Sequence, residues 1–306
     1  MIDILGKRYL YFVISLLVIL PGVILLATGG LPLSIDFTGG SLLEVQFEAG
    51  KAPQPAQLVT LYESAGINDA QVQTTESGTF MIRSSFLDNE ARDNVLNAMK
   101  TETGSEVNVI RFDSVGPSIG RQVASRAALA VGVAALAVVL YITTAFRKVP
   151  NAFRYGVCAI IAMIHDVAVV FSAAGIGAWL FDWQMDALFL TALLTVIGFS
   201  VQDKVVVFDR IRENTNILRR LDYETLVNHS IVQTLQRSIN TQLMTVEFLL
   251  LALALFGGVT LQEFAVILLV GLFSGTYSSI FIAAPILVLW EKREWTNWFG
   301  RRSVSA

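Results

Sequence analysis

The sequence is short of charge. Of its 306 residues, 22 are Lys or Arg and 25 are Asp or Glu, so 15% are charged and the net charge is −3. Soluble domains are charged at about a quarter of their positions, and a nucleic-acid-binding protein needs a net basic face. With 54% hydrophobic residues and a mean hydropathy of +0.60, the composition excludes a disordered chain, disfavours an ordinary soluble enzyme and predicts no nucleic-acid partner.

Cysteine and histidine are scarce as well. The single cysteine, Cys158, lies in an apolar run, so no intramolecular disulfide can form. Two histidines and one cysteine are too few for a zinc site of the usual His/Cys kind. We therefore expect no metal centre and no cofactor.

What the chain does have is long hydrophobic runs. A membrane-spanning helix needs about 20 mostly apolar residues, and six segments qualify: 9–27, 124–146, 153–180, 187–208, 243–261 and 263–290. The first could also be a cleaved signal peptide. We favour an uncleaved helix because five further hydrophobic segments follow it. The predicted fold is a polytopic α-helical membrane protein with six transmembrane helices.

Basic residues predict the orientation of these helices. Lys and Arg fall at one end of them, in the stretches 7–8, 147–154, 204–237 and 292–302, whereas the short loops around Asp182 and Gly258 carry none. The positive-inside rule then predicts cytoplasmic termini and a large extracytoplasmic loop. The predicted parts are 1–32 (N-terminus and helix one), 33–118 (outer domain), 119–291 (helices two to six) and 292–306 (cytoplasmic tail).

The outer segment has the pattern of a small α/β domain. Strands are predicted at 36–49, 70–75, 79–85 and 106–113, with a bulge at Gly39-Gly40 and helices at 53–66 and 88–101, the second capped by Asp88. The order βαββαβ indicates a ferredoxin-like sandwich. The segment contains no His and no Cys, which favours a binding or mechanical role over catalysis.

Two charged residues, Asp203 within the fourth hydrophobic segment and Arg237 shortly before the fifth, are candidate functional residues, since an ionisable group inside a membrane is costly. At a rise of 1.5 Å per residue, Asp203 lies roughly 22 Å and Arg237 roughly 30 Å from the outer side. Paired, the arginine would keep the carboxylate ionised; separated, the buried acid would take a proton. This gives a two-state proton carrier without a cofactor. The alternatives are an interfacial Asp203 and an Arg237 that merely anchors its helix.

The hydrophobic segments contain weaker candidates as well. Asp166, near the middle of the third predicted helix, could relay protons or pair with a polar neighbour, and the adjacent His165 could simply donate to a neighbouring oxygen. Glu247 is a further intramembrane acid. The stripe Gly271, Gly275 and Ser279 predicts close helix packing. Residues 209–236 predict an amphipathic segment resting on the cytoplasmic membrane face.

Four motifs resemble the SecF family of bacterial protein-export subunits. They are Asp36-Phe37-Thr38-Gly39-Gly40, Val115-Gly116-Pro117-Ser118-Ile119-Gly120, His165-Asp166 and the run 205–214, Val-Val-Val-Phe-Asp-Arg-Ile-Arg-Glu-Asn. The resemblance covers essentially the whole chain. The family has Asn-Asp-Thr where this chain has Gln202-Asp203-Lys204, so a cation replaces a hydroxyl beside the acid.

The resemblance implies a resistance-nodulation-division type fold, a place in the bacterial inner membrane, and a part in protein export rather than enzymatic catalysis. It implies pairing with SecD, a place beside the SecYEG channel, contact with the translocating preprotein, and YajC or YidC as further partners. It also implies a proton-driven cycle through Asp203 and Arg237. Two alternatives are an exporter of small molecules or lipids from the same superfamily, and a passive scaffold.

Overall fold

The computed structural model describes residues 3–48, 50–75, 78–147, 152–241, 248–256 and 259–292. A 3₁₀ turn at Leu5–Lys7 leads into the first helix, and a π-helical turn at Ser279–Ala283 joins the last two. In chain order the elements are α1 (Arg8–Gly29), α2 (Ile35–Thr38), β1 (Gly40–Phe47), α3 (Pro55–Ser64), β2 (Gln71–Thr74), β3 (Phe80–Ser84), α4 (Asn89–Thr103), β4 (Val107–Val115), α5 (Pro117–Phe146), α6 (Ala152–Phe181), α7 (Ala187–Ile217), α8 (Tyr223–Ser238), α9 (Phe248–Phe256), α10 (Val259–Ser278) and α11 (Ala284–Glu291).

Contacts divide the chain into two compact units, one of which is Leu33–Leu129. Its sheet has the strand order β2-β3-β1-β4, and every neighbouring pair is antiparallel. Helices α3 and α4 follow β1 and β3, which is the predicted order of elements. Alternate residues of the strands and one face of each helix form its core: Leu43, Val45, Phe47, Leu58, Tyr62, Phe80, Ile82, Leu87, Val95, Met99 and Val107.

The start of this unit differs from the prediction. Residues 36–39 were expected to begin a strand, but Ser34 caps a helical turn there, its hydroxyl accepting the Asp36 N–H at 3.2 Å. The bulge lies between Glu44 and Val45 instead of at the glycine pair. Gly39 and Gly40 have φ of +77° and +135°, which side-chain-bearing residues rarely adopt.

The glycine pair also allows two motifs to touch. A Cβ on Gly39 would lie 2.7 Å from the Cα of Pro117, and one on Gly120 would lie 2.5 Å from the backbone N of Gly39. The Asp36–Gly40 run and the Val115–Gly120 run, distant in sequence, therefore pack backbone against backbone. Any side chain at Gly39 or Gly120 would force them apart.

The other unit, Met1–Pro32 with Ala130–Ala306, contains most of the long apolar helix length. Within the described residues five helices are long and apolar enough to span a membrane: Leu5–Gly29, Pro117–Phe146, Ala152–Phe181, Ala187–Ile217 and Leu261–Glu291. The fifth predicted span, 243–261, is represented by the nine residues of α9, since 242–247 and 257–258 lie outside the described residues. So do 148–151 and the tail from 293.

Helices α1 and α6 approach unusually closely. A Cβ on Gly22 would lie 2.3 Å from both the Cα and the carbonyl oxygen of Ser172, and one on Gly175 would lie 2.9 Å from the carbonyl oxygen of Gly22. The Ser172 hydroxyl donates to the Val18 carbonyl at 2.8 Å. Val18 lies three residues before the in-helix Pro21, whose missing N–H interrupts the helical ladder in this turn.

The segment 209–236 differs from its predicted form. Helix α7 continues unbroken to Ile217, and only after a turn does α8 begin, capped by Asp222. The apolar face of α8 does not rest on a membrane surface, because Leu226, Val227 and Ile231 are buried in the same core as Phe208 and Ile211 of α7. Protein covers the apolar face of α8, since α7 extends far enough to offer it a partner.

Candidate functional site

Asp203 lies on α7 and is 6% exposed. The Ser238 hydroxyl, at the end of α8, donates to its Oδ1 at 2.6 Å. Its other oxygen, Oδ2, is buried and has no hydrogen-bond partner among the described residues. A buried carboxylate oxygen without a donor loses its hydration without compensation, so this acid has a strong physical reason to bind a proton.

A small cavity opens on this carboxyl group. It has a volume of about 50 Å³, which is enough for water. Its lining comes from α7, from the end of α8 and its continuation, and from α10: Phe199, Gln202, Asp203, Val206, Arg237, Ser238, Thr241 and Leu272. Asp203 and Arg237 thus share a cavity, while the ion pairs within the described part of the chain include none between them. The guanidinium is near the acid without neutralising it by direct contact.

Asp166 of α6 is in a very different environment. It is 1% exposed, and donors surround both of its oxygens. Lys204 donates to Oδ2 at 2.7 Å and Ser278 donates to Oδ2 at 2.7 Å, while Ser274 donates to Oδ1 at 2.8 Å. Ser200 donates to Oδ2 as well, and its own oxygens accept from the Lys204 ammonium. The result is a fully hydrogen-bonded ion pair joining α6, α7 and α10.

Sequence reasoning missed this pairing. Lys204 was considered as a neighbour of Asp203, yet adjacent helical residues point about 100° apart, and the lysine lies with Ser200, one turn before it, against Asp166. The spacing Ser200–Lys204 and the matching spacing Ser274–Ser278 place hydroxyls on single helix faces. Those two i, i+4 polar pairs in apolar helices were the available signal.

His165 flanks the pair from α6. Its Nδ1 lies 3.2 Å from Asp166 Oδ1, and its ring stacks on Tyr277 with centroids 6.1 Å apart. Its Nε2 is buried and has no hydrogen-bond partner among the described residues. His165 also lines an apolar cleft of about 510 Å³ between α1, α6 and α10.

The small-residue stripe of α10 lies on the face toward α7. A Cβ on Gly271 would lie 2.2 Å from a methyl of Val196, and one on Gly275 would lie 3.3 Å from the Cα of Ser200. Ser279 is fully buried and donates to the Gly275 carbonyl at 2.8 Å. Glu247, the remaining intramembrane candidate, lies outside the described residues.

The other end of α8 is bound by ion pairs to Arg8, at the start of α1, and to Lys292, which follows α11. Arg8 donates to Glu224 at 2.7 Å, and Lys292 donates to the same carboxylate. Lys292 and Arg8 together lower the pKa of Glu224, and the carboxylate in turn raises the pKa of Lys292. Asn228 accepts the Ile4 and Leu5 N–H groups at 2.9 and 3.3 Å. Helix α8 is therefore held at both ends, by ion pairs at one and by Ser238 and Asp203 at the other.

No group of three or more His, Cys, Asp or Glu side chains suited to a metal occurs within the ranges the structure describes. The chemistry available at Asp203 is the gain and loss of a proton beside a cation. The chemistry at Asp166 is a fixed internal ion pair.

Two family descriptions match the sequence. Residues 95–293 match "Protein export membrane protein SecD/SecF, C-terminal", and residues 24–51 match "SecD/SecF GG Motif". The second match contains the positive-φ pair Gly39-Gly40. The two matches together reach into both compact units, leaving residues 52–94 outside them.

Individual relatives agree with these matches. A "Protein translocase subunit SecF" from Anaerolinea thermophila is 69% identical over 100% of this chain and 99% of its own length. One from Thermobaculum terrenum is 46% identical, with the same two coverages. The crystal structure of SecDF, a translocon-associated membrane protein from Thermus thermophilus, matches 95% of this chain at 32% identity with a TM-score of 0.81, and this chain spans 39% of that one.

Proposed function

The chain belongs to the SecD/SecF family of protein-export membrane proteins, and from that premise we propose that it uses the proton-motive force to promote preprotein translocation through Asp203. Its relatives are translocase subunits, so it serves protein export as a membrane subunit and is not an enzyme. The relatives' names do not state how such a subunit is powered. The environment of Asp203 supports the proposal.

One observation carries it: the Asp203 carboxyl is buried, with Oδ1 bound to Ser238 and Oδ2 bound to no donor within the described residues. Such an oxygen is a ready proton acceptor. The cavity beside this carboxyl group has room for water and is also lined by Arg237. A proton crossing the membrane releases about 2.3 kcal/mol per 100 mV, and this biases a two-state equilibrium about 50-fold.

Helix α8 provides the route by which such a change would spread. It carries Ser238 and Arg237 at one end and the Glu224 ion pairs at the other. Protonation of Asp203 removes the charge that Ser238 donates to and that Arg237 faces. We expect α8 to shift against α7 in response, and the ion pairs of Glu224 to transmit that shift to Arg8 at the start of α1.

The assembly we propose has SecD as the immediate partner, supported by the structural likeness to SecDF chains of more than twice this length. We further propose a place beside SecYEG, contact with the emerging preprotein, and YajC or YidC as additional neighbours. Six spans, cytoplasmic termini and an outer domain of ferredoxin-like fold complete the arrangement. The βαββαβ order and the β2-β3-β1-β4 sheet support that fold.

The test compares two aspartates of α7. Asp203→Asn removes the proton site, whereas Asp209→Asn removes an exposed carboxylate that pairs with Arg212. Each full chain is assembled with its SecD counterpart and channel in membrane vesicles, and preprotein export is measured with and without an imposed proton gradient.

We expect Asp203→Asn to lose the gradient-dependent part of export while assembly persists, and Asp209→Asn to keep it. Gradient-stimulated export by an assembled Asp203→Asn complex would contradict the proposal and favour a passive scaffold. Arg237→Ala provides an independent variant at the same cavity, with the same expected loss.

A further inference from the structure

Lys204 is among the most deeply buried side chains in the described part of the molecule. Its side chain is 0% exposed and that of its partner Asp166 is 1% exposed. A lone ammonium or carboxylate so deep in an apolar bundle would be prohibitively unstable. Each charge therefore depends on the other for its place in the fold.

The polar groups around the ion pair form hydrogen bonds that stabilise both charges. The ammonium contacts Asp166 Oδ2 at 2.7 Å and the Ser200 carbonyl at 3.2 Å, with the Ser200 hydroxyl beside them. The carboxylate accepts from Ser274 and Ser278 on α10 in addition. No oxygen of Asp166 is left without a donor, unlike Oδ2 of Asp203.

We propose that Lys204 is a built-in counter-ion that keeps Asp166 permanently ionised and withdraws it from proton exchange. Of the two buried acids in the described helices, only Asp203 is then free to change its charge. Lys204 and Asp166 act as positioning residues: their pair fixes α6, α7 and α10 against one another, one residue away from the exchanging acid. This assignment of charge holds whether or not Asp203 drives export.

Few other charged groups face the pair. On α6 itself His165 lies at 3.2 Å, and the Arg154–Glu291 pair lies 12 residues away, about 18 Å along the helix. From α7 the neighbouring acid is Asp203, on a different face. From α10, Tyr277 stacks on His165, and its hydroxyl donates to the Tyr11 carbonyl of α1. Among the residues that the structure describes, Asp166 is therefore the group at which a proton could neutralise the pair once the ammonium is removed.

The test uses two single variants and their combination in the full chain, purified in detergent. Lys204→Met keeps the length of the stem and removes the charge, Asp166→Asn keeps the shape of the carboxylate, and the double variant removes both charges. Thermal midpoints are measured relative to wild type from pH 5.5 to pH 9.

We expect the single variants to lose on the order of 10 °C, with opposite pH dependence. The thermal midpoint of Lys204→Met should recover as the pH falls, because a proton can neutralise the Asp166 carboxylate that has lost its lysine. Asp166→Asn should recover as the pH rises, because its unpaired lysine can lose its proton. The double variant should melt within a few degrees of wild type at every pH.

Two results would overturn the proposal. One is a double variant that loses as much as the two singles together, which would mean that the charges are not coupled. The other is a pH-independent loss in both singles, which would make the lysine a packing residue only. Lys292→Met, which breaks a solvent-accessible lysine pair, serves as the matched control and should shift the midpoint by only about 1–3 °C.

Discussion

Replacing Gly22 by alanine tests the close contact between α1 and α6. The new Cβ would lie 2.3 Å from the backbone of Ser172, and carbon atoms in contact need at least about 3.4 Å. Helices α1 and α6 must therefore separate by about 1.1 Å at this point. Because the obstructing atoms are backbone, a change of rotamer cannot relieve the clash.

The energetic consequence follows from three contributions. Overpacking of this kind costs about 1–3 kcal/mol, and loss of the Ser172–Val18 hydrogen bond adds about 0.6 kcal/mol. Alanine regains about 0.8–1 kcal/mol of helix propensity over glycine. The net destabilisation is about 1–3 kcal/mol, or about 2–10 °C in the thermal midpoint.

The control is Gly29→Ala on the same helix, where an added Cβ would meet nothing within 4 Å. Thermal unfolding of both full-length variants in detergent, followed by circular dichroism, gives the comparison. Gly29→Ala should melt at or slightly above wild type. A Gly22→Ala protein that melts as high as Gly29→Ala would refute the close approach of α1 and α6.

Two further predictions concern single side chains. Glu224→Gln should lose stability at neutral pH but not in acid. Lys292 and Arg8 lower the pKa of Glu224 in the folded protein. The ion pairs of Glu224 therefore stabilise the fold fully above the unfolded pKa of about 4.3, and this stabilisation is lost as the pH falls through the lower folded pKa. The difference in thermal midpoint between wild type and Glu224→Gln, measured from pH 7 to pH 3, should therefore shrink toward zero, and a constant difference would contradict it. Tyr62→Phe should leave stability unchanged or raise it by up to about 1 kcal/mol, because Tyr62 is fully buried, its hydroxyl has no partner in the described residues, and burial alone raises its pKa. Chemical denaturation measures the free energy of unfolding, with Tyr9→Phe on the exposed face of α1 as the control. A clear loss of stability in Tyr62→Phe would show that the Tyr62 hydroxyl does form a hydrogen bond.

The sequence predicted the architecture where the physics is local. Apolar length identified five helices that the structure contains, because about 20 apolar residues in a row have few alternatives to spanning a membrane. Alternating patterns and the cap at Asp88 predicted the order of strands and helices in Leu33–Leu129. The Asp88 side chain accepts the Ala91 N–H at 2.8 Å, as expected of an N-cap.

Contacts between residues distant in the chain could not be predicted from the sequence. Asp166 was recognised as costly, but its partner lies 38 positions along the chain, and the i, i+4 spacing of Ser200 and Lys204 does not say which helix they face. The helical turn at Ile35–Thr38 was missed since a run of β-favouring residues masked the Ser34 cap. The contact of Gly22 with Ser172 was also missed, because a single glycine beside a proline carries no spacing pattern.

The tie between the beginning of the chain and Asn228 has a consequence for how the protein is made. The amide of Ile4 is separated from its acceptor by 224 positions, and a bacterial ribosome adds about 5–20 residues per second. The Ile4 and Leu5 amides must thus wait about 10–45 s after their own synthesis before their permanent partner has been made. Until Asn228 is in place, these two amides depend on water.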